Sequence, residues 1–261
     1  MLKTVPHNGE VSSHAVSAVV VAVSAVGAGL VVTASQRAPS WVAVSVAVVV
    51  VTLGVSVLSG PVRAMCAASL DDDGVAIAMP ARWMLGICWA PAVVMAGLSV
   101  LAHPDRVAIP ALVVLLAIPG VWCAAIDVAT HRMPTRLIWT MLLSAAVGVF
   151  AAGWAEHSLG RSVQALMWGS VCGAVLLTVA VITAGTPGLA DVRLVVVLGV
   201  LCGYLGAGHV WALTVFATMS AGLVAALQLG YRRFVRRLPG EGSLPFGPYL
   251  LAGAAAALIV G

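Results

Sequence analysis

Long apolar runs dominate this chain, broken by short segments that hold most of its charge. A helix that crosses a bilayer needs roughly 20 mostly apolar residues, within a range of about 17–25. Nine runs approach or meet that length: 13–34, 41–59, 84–102, 107–126, 137–155, 163–184, 192–206, 209–230 and 246–260. The seventh and ninth are the short ones. Lys3 ahead of the first run, and Thr33-Ala34-Ser35 at its end, also fit a signal peptide. The run is long for a signal core, which favours a membrane span. The expected fold class is all-α, a polytopic membrane helix bundle of about nine transmembrane helices.

Composition agrees. The chain has 261 residues, 62% of them hydrophobic and 8% charged, where a soluble domain carries about 25% charged residues. That leaves too little polar surface for water, and no stretch is long and polar enough for a large soluble domain. Nothing points to a nucleic-acid partner. The membrane lipid itself is the expected surroundings.

Charge placement sets an expected orientation. Arg132 and Arg136 follow the fourth run, Arg193 follows the sixth, and Arg232, Arg233, Arg236 and Arg237 follow the eighth. Alternate loops hold only Arg37, Arg106 and Arg161, singly. The Arg-rich loops are therefore expected in the cytoplasm, with the N-terminus inside and the C-terminus outside. Trp41, Trp83, Trp139, Trp154 and Trp211 fall near predicted span ends, as an interfacial aromatic belt requires. Residues 60–83 form the longest loop, predicted cytoplasmic. Its Asp71-Asp72-Asp73-Gly74 lacks the rest of a calcium loop and reads as solvated.

The five cysteines form no C-x-x-C pair and mostly sit in apolar runs, where they act as small hydrophobes. Neither a metal nor a cofactor is expected.

Candidate chemistry comes from the acidic residues, which number nine. Seven fall in the N-terminal tail or in loops, where water is expected to solvate them. Asp127 ends the apolar run Val121–Ile126, and Asp191 opens the run Val192–Val200. Both are expected at the cytoplasmic edge of the hydrocarbon. Carboxylates at that depth are costly and are functional candidates. Two brought together can share a proton, one acting as base on water and the other as acid on an amide carbonyl. A helix N-terminus favours charge on Asp191, and a helix C-terminus disfavours it on Asp127. Asp191 is thus expected to hold the charge and Asp127 the proton, in a coupled titration. Two unrelated capping residues remain the alternative, because spacing alone does not make them meet.

The flanks carry more. Ala125-Ile126-Asp127, followed by His131-Arg132-Met133-Pro134-Thr135-Arg136, resembles the first catalytic segment of the type IV prepilin peptidases. Gly188-Leu189-Ala190-Asp191-Val192-Arg193-Leu194 is similar to the family's Gly-x-Gly-Asp segment, and Pro245-Phe246-Gly247-Pro248 to the element opening its last helix. The three occur in order and cover roughly residues 105–261. The resemblance implies catalytic Asp127 and Asp191, with Pro134, Gly188, Ala190, Pro245, Phe246, Gly247 and Pro248 as supporting motif residues. It implies a membrane aspartyl endopeptidase that removes the leader from pilin-like precursors at the cytoplasmic face of the inner or plasma membrane. A six-helix catalytic core over 103–261 would follow membrane helices over 1–102, to which no role attaches.

Three features depart from the family pattern. Ala190 replaces the second Gly of Gly-x-Gly-Asp. If that position needs positive φ, alanine strains it by about 1 kcal/mol or more; if it needs only a small residue, alanine suffices. Thr135 stands where Asn is common, and threonine can also cap a helix. The cysteine-rich methyltransferase domain of larger members is absent, so peptidase activity without N-methylation is expected. A non-catalytic relative that binds pilin-like subunits is the main alternative, suggested by Ala190. A small proton-coupled transporter is the other, and it would favour midplane charges and repeat symmetry. Gly169-x-x-x-Gly173 and Gly199-x-x-x-Gly203 read as packing notches, able to draw the aspartate-bearing helices together.

Overall fold

The computed structural model describes residues 9–62, 82–130, 135–183, 188–231 and 246–260. Nine helices are laid out over these residues, with helical backbone also at 59–62: α1 (Gly9–Arg37), α2 (Ser40–Val57), α3 (Arg82–Ala102), α4 (Ala108–Thr130), α5 (Thr135–Ala155), α6 (Leu159–Ile182), α7 (Leu189–Leu205), α8 (Ala207–Tyr231) and α9 (Gly247–Val260). Several are rich in valine, which in water favours strands. In lipid each backbone N–H must find its partner within the segment, so a lone apolar run closes as a helix regardless. Hydroxyls on these helices follow the same rule, half-buried or lipid-facing. Thr52 bonds back to the Val48 carbonyl at 2.7 Å and Ser56 to that of Thr52 at 2.8 Å.

Seven of these helices are long and apolar enough to cross a membrane. The other two are α7, whose 17 residues reach about 25 Å, and α9, whose 14 reach about 21 Å, against a hydrocarbon thickness of roughly 30 Å. Both nevertheless run between the two polar ends of the bundle. Asp191 opens α7 beside Asp127, while Tyr204 near its other end bonds Glu156 in the distant α5–α6 turn. At the start of α9, Gly247 bonds Asp127; Ala257, one turn before its end, accepts from His209 at the start of α8.

Helix α4 is the axle of the fold. It packs on α1, α2, α3, α5 and α9 and is almost wholly buried, with Trp122 donating to the Val55 carbonyl at 3.1 Å. α1, α6 and α8 keep most of their surface for lipid. The first three helices share the hydrophobic core of the others, since α3 packs on both α4 and α9. Trp41, Trp139, Trp154 and Trp211 are exposed, as a belt facing lipid and headgroups requires.

The glycine notches do close a tight interface, but between α6 and α7. A methyl on Gly169 would meet the Val196 carbonyl at 2.9 Å and the Val200 amide at 3.1 Å, and one on Gly203 the Ala165 backbone at 3.1 Å. α6 carries neither aspartate, so the expectation that these notches join the two aspartate helices is corrected. Contact between them runs instead through α9, which touches α4 and α7, and through α5, which touches both as well. A single residue, Gly206, separates α7 from α8; its φ of 139° suits glycine alone.

Candidate functional site

Three sequence-distant segments meet at one end of the bundle. Asp127 lies in the last turn of α4 and is 6% exposed. Its Oδ2 accepts from the Gly247 amide at 3.0 Å, across 120 residues of chain. Asp191 lies in the first turn of α7, half-buried. Its Oδ2 accepts from the Gly188 amide at 3.1 Å. That is the side-chain half of a capping box; glycine at the cap has no side chain to return the bond. Asp127 and Asp191 lie close enough to act on each other electrostatically. The first, second and third motif segments are thereby joined.

The arrangement modifies the expected division of roles. Asp127 does end a helix, but it also faces the N-terminal amide of α9, whose positive end favours charge. Both carboxylates therefore see a helix N-terminus, and the field of α4 alone does not tell them apart.

Ala190 sits inside the first turn of α7 with helical backbone. Among the described residues the only non-glycine with positive φ is His157. The Gly188 cap is extended, at φ −69° and ψ 160°. Neither position needs the left-handed region, so the strain considered for Ala190 does not arise. Ala190 is half-buried and packs against the core. Pro248 is half-buried in the first turn of α9, and Phe246 immediately precedes that helix. Pro134, Pro245, His131, Arg132, the acidic run 71–73 and the arginines 232–237 lie outside the described residues.

Two neighbours of the site escaped the reading of the sequence. The Arg193 guanidinium stands 5.8 Å from the ring centre of Trp139 and pins the start of α7 to that of α5. A slot of about 200 Å³ lies between α6 and α8, lined by Phe246, Leu250 and Val195 at the aspartate end and by Val210 and Trp211 toward the other. Val195 is one turn from Asp191. The Thr214 and Thr218 hydroxyls on its wall are spent on their own helix, so the slot is apolar.

At the opposite end, Glu156 corrects the expectation that loop carboxylates are merely solvated. Its Oε2 pairs with Arg106 at 3.3 Å and Arg161 at 3.2 Å and accepts from the Tyr204 hydroxyl at 3.1 Å. The partners lie up to 50 residues away. The only signal available was that Arg106, Glu156 and Arg161 all fall in loops predicted on the same face. Nearby, His103 packs edge-on to His209 with ring centres 6.3 Å apart. Burial lowers the His103 pKa from its ordinary value, helped by the charges of Arg106 and His209.

Fold and site together define a multi-pass helical membrane protein with a pair of carboxyl groups at one end of its bundle. Comparison with protein-family models, with curated proteins and with solved structures finds no match.

Proposed function

We propose that this chain is a membrane aspartyl endopeptidase of the prepilin-peptidase type, removing the leader of pilin-like precursors at the cytoplasmic membrane face. One observation carries the reading: Asp127 and Asp191 lie within electrostatic reach of each other at one end of the bundle, Asp127 accepting the Gly247 amide of the third motif segment and Asp191 the Gly188 amide of its own. In this reading α7 and α9 cross the bilayer with the other seven helices, and the aspartate end faces the cytoplasm.

The pair shares one proton. The ionised member takes a proton from water as the water oxygen attacks the scissile carbonyl. The protonated member donates to the carbonyl oxygen. The tetrahedral intermediate then collapses, the C–N bond breaks, and the departing amine takes up a proton from the pair. Burial at the bilayer edge keeps the carboxyls coupled, and the first turns of α7 and α9 fix them through backbone amides rather than mobile side chains. The slot between α6 and α8 supports a substrate anchored in lipid, because it is apolar and its lower end lies one turn from Asp191.

The test is co-expression with a tagged pilin-like precursor from the same genome, following leader loss by mass. Cleavage by the intact chain that disappears in both Asp127→Asn and Asp191→Asn supports the proposal. Failure of the intact chain to cleave any such precursor, with the precursor still co-purifying, favours a non-catalytic binding role.

A further inference from the structure

We propose that the end of the bundle opposite the aspartates holds one phospholipid whose headgroup carries both a phosphate and a primary ammonium, the phosphatidylethanolamine class. A cavity of about 820 Å³ opens there between α1, α4 and α5. Its size falls in the range of about 300–1,000 Å³ usual for ligand sites. Its two parts differ sharply in chemistry. The deep wall is apolar and built from small residues, including Ala25 and Ala28 of α1, Ala111 of α4, and Gly148 and Ala151 of α5. The rim carries Asp105, Arg106, Glu156 and Arg161.

A cavity with a charged rim and an apolar wall, opening where helix ends meet headgroups, matches an amphipathic molecule. An acyl chain fits the wall, where neither water nor a polar solute gains partners. The rim selects the headgroup. It holds two guanidiniums and two carboxylates, so its formal charge cancels and gives an anionic lipid no net attraction. Its bonding capacity is not exhausted. Glu156 Oε2 receives both arginines, while Glu156 Oε1 and Arg106 Nε are buried with no partner among the described residues. Asp105 is exposed at the rim and forms no ion pair among the described residues. The site therefore has donors to spare for a phosphate oxygen and carboxylate oxygens to spare for an N–H donor. A primary ammonium supplies three such donors, whereas a quaternary choline supplies none.

The lipid would also explain why α1 stays in place. That helix packs on α2, α4 and α5 yet leaves the cavity between itself and its neighbours, so a chain seated there completes its contact.

The experiment is native mass spectrometry of the delipidated full-length chain. It is titrated separately with phosphatidylethanolamine, phosphatidylcholine and phosphatidylglycerol of identical acyl chains. A single adduct is expected, at least about tenfold tighter for phosphatidylethanolamine than for the other two, which is about 1.4 kcal/mol. Glycerophosphoethanolamine, which has the headgroup without the chains, should fail to compete. Asp105→Asn, a change at an exposed position, should erode the preference over phosphatidylcholine, and Ala28→Trp should block the adduct by filling the wall. Equal binding of all three lipids, a preference for the anionic lipid, effective competition by the headgroup alone, or an adduct indifferent to both variants would each overturn the proposal. Circular dichroism of each variant separates loss of binding from loss of fold.

Discussion

The two ends of this bundle treat a carboxylate in opposite ways. Glu156 is met by two guanidiniums and a phenol, all from other segments, and its charge is neutralised on the spot. Asp127 and Asp191 instead lie within electrostatic reach of each other, and the bonds that hold them come from the peptide amides of Gly247 and Gly188. Cations fix a carboxylate as an anion. A second carboxylate does the reverse and makes it cheap for one of the two to keep a proton. The first arrangement suits a clasp between helices, and the second suits proton transfer.

The sharpest way to break this comparison is exchange of charge for amide at each end. Asp127→Asn and Asp191→Asn are each expected to cut leader cleavage by on the order of 10³-fold or more while leaving the melting temperature nearly unchanged. Glu156→Gln should do the opposite: cleavage stays within about threefold, while stability falls by about 1–3 kcal/mol because two guanidiniums lose their counter-ion. Denaturation of the purified variants alongside the cleavage assay reads both. Loss of cleavage in Glu156→Gln at full stability would erase the distinction.

A smaller effect sharpens the picture of the aspartate end. Thr218→Trp, at an exposed position on the wall, narrows the slot between α6 and α8, and a drop of about three- to tenfold is expected in cleavage of a membrane-anchored precursor. A soluble peptide spanning only the leader junction should be cut at an unchanged rate. Equal losses on both substrates would mean that the slot plays no part in seating the anchor. Smaller still, Ala190→Gly should leave cleavage within about twofold and cost about 0.5–1 kcal/mol of stability, since alanine already has helical backbone there. A large gain in activity would show that the family's glycine serves a purpose that helical geometry does not reveal.

The smallest expected effect concerns His103. Its folded pKa is lowered, chiefly by burial, so the unfolded chain takes up the proton first as pH falls. The stability contributed by the neutral ring is present above the ordinary imidazole value near 6.5 and is lost as pH falls through the lowered folded value. Melting temperature should therefore decline from pH 7.5 toward pH 5, and His103→Asn should flatten that decline. An unchanged slope would assign it to other groups.

Legibility of the sequence followed the range of the interactions. The helices were readable because a span is a local property, visible as a run of apolar residues. Asp127 and Asp191 stood out for the same reason, each being a charge at the edge of such a run. Partner choice was not local. Gly169 and Gly203 announced close packing, yet nothing in the spacing said that α6 would meet α7 rather than that α4 would meet α7. Glu156 looked like a loop residue because its partners Arg106 and Tyr204 are 50 and 48 positions away on either side. Ala190 looked like a defect until the start of α7 placed it in a helical turn.

The one-residue link at Gly206 has a consequence for biogenesis. α7 opens with Asp191 and Arg193 and is only 17 residues long, which makes it a poor substrate for insertion by itself. Joined to the 25 residues of α8 with no loop between, it can enter lipid as one half of a helical hairpin, and no polar connector has to be carried across. With the other cysteines replaced, Cys202 of α7 should then be open to a membrane-impermeant thiol reagent in a chain truncated just after Gly206, and shielded in one extended to residue 231.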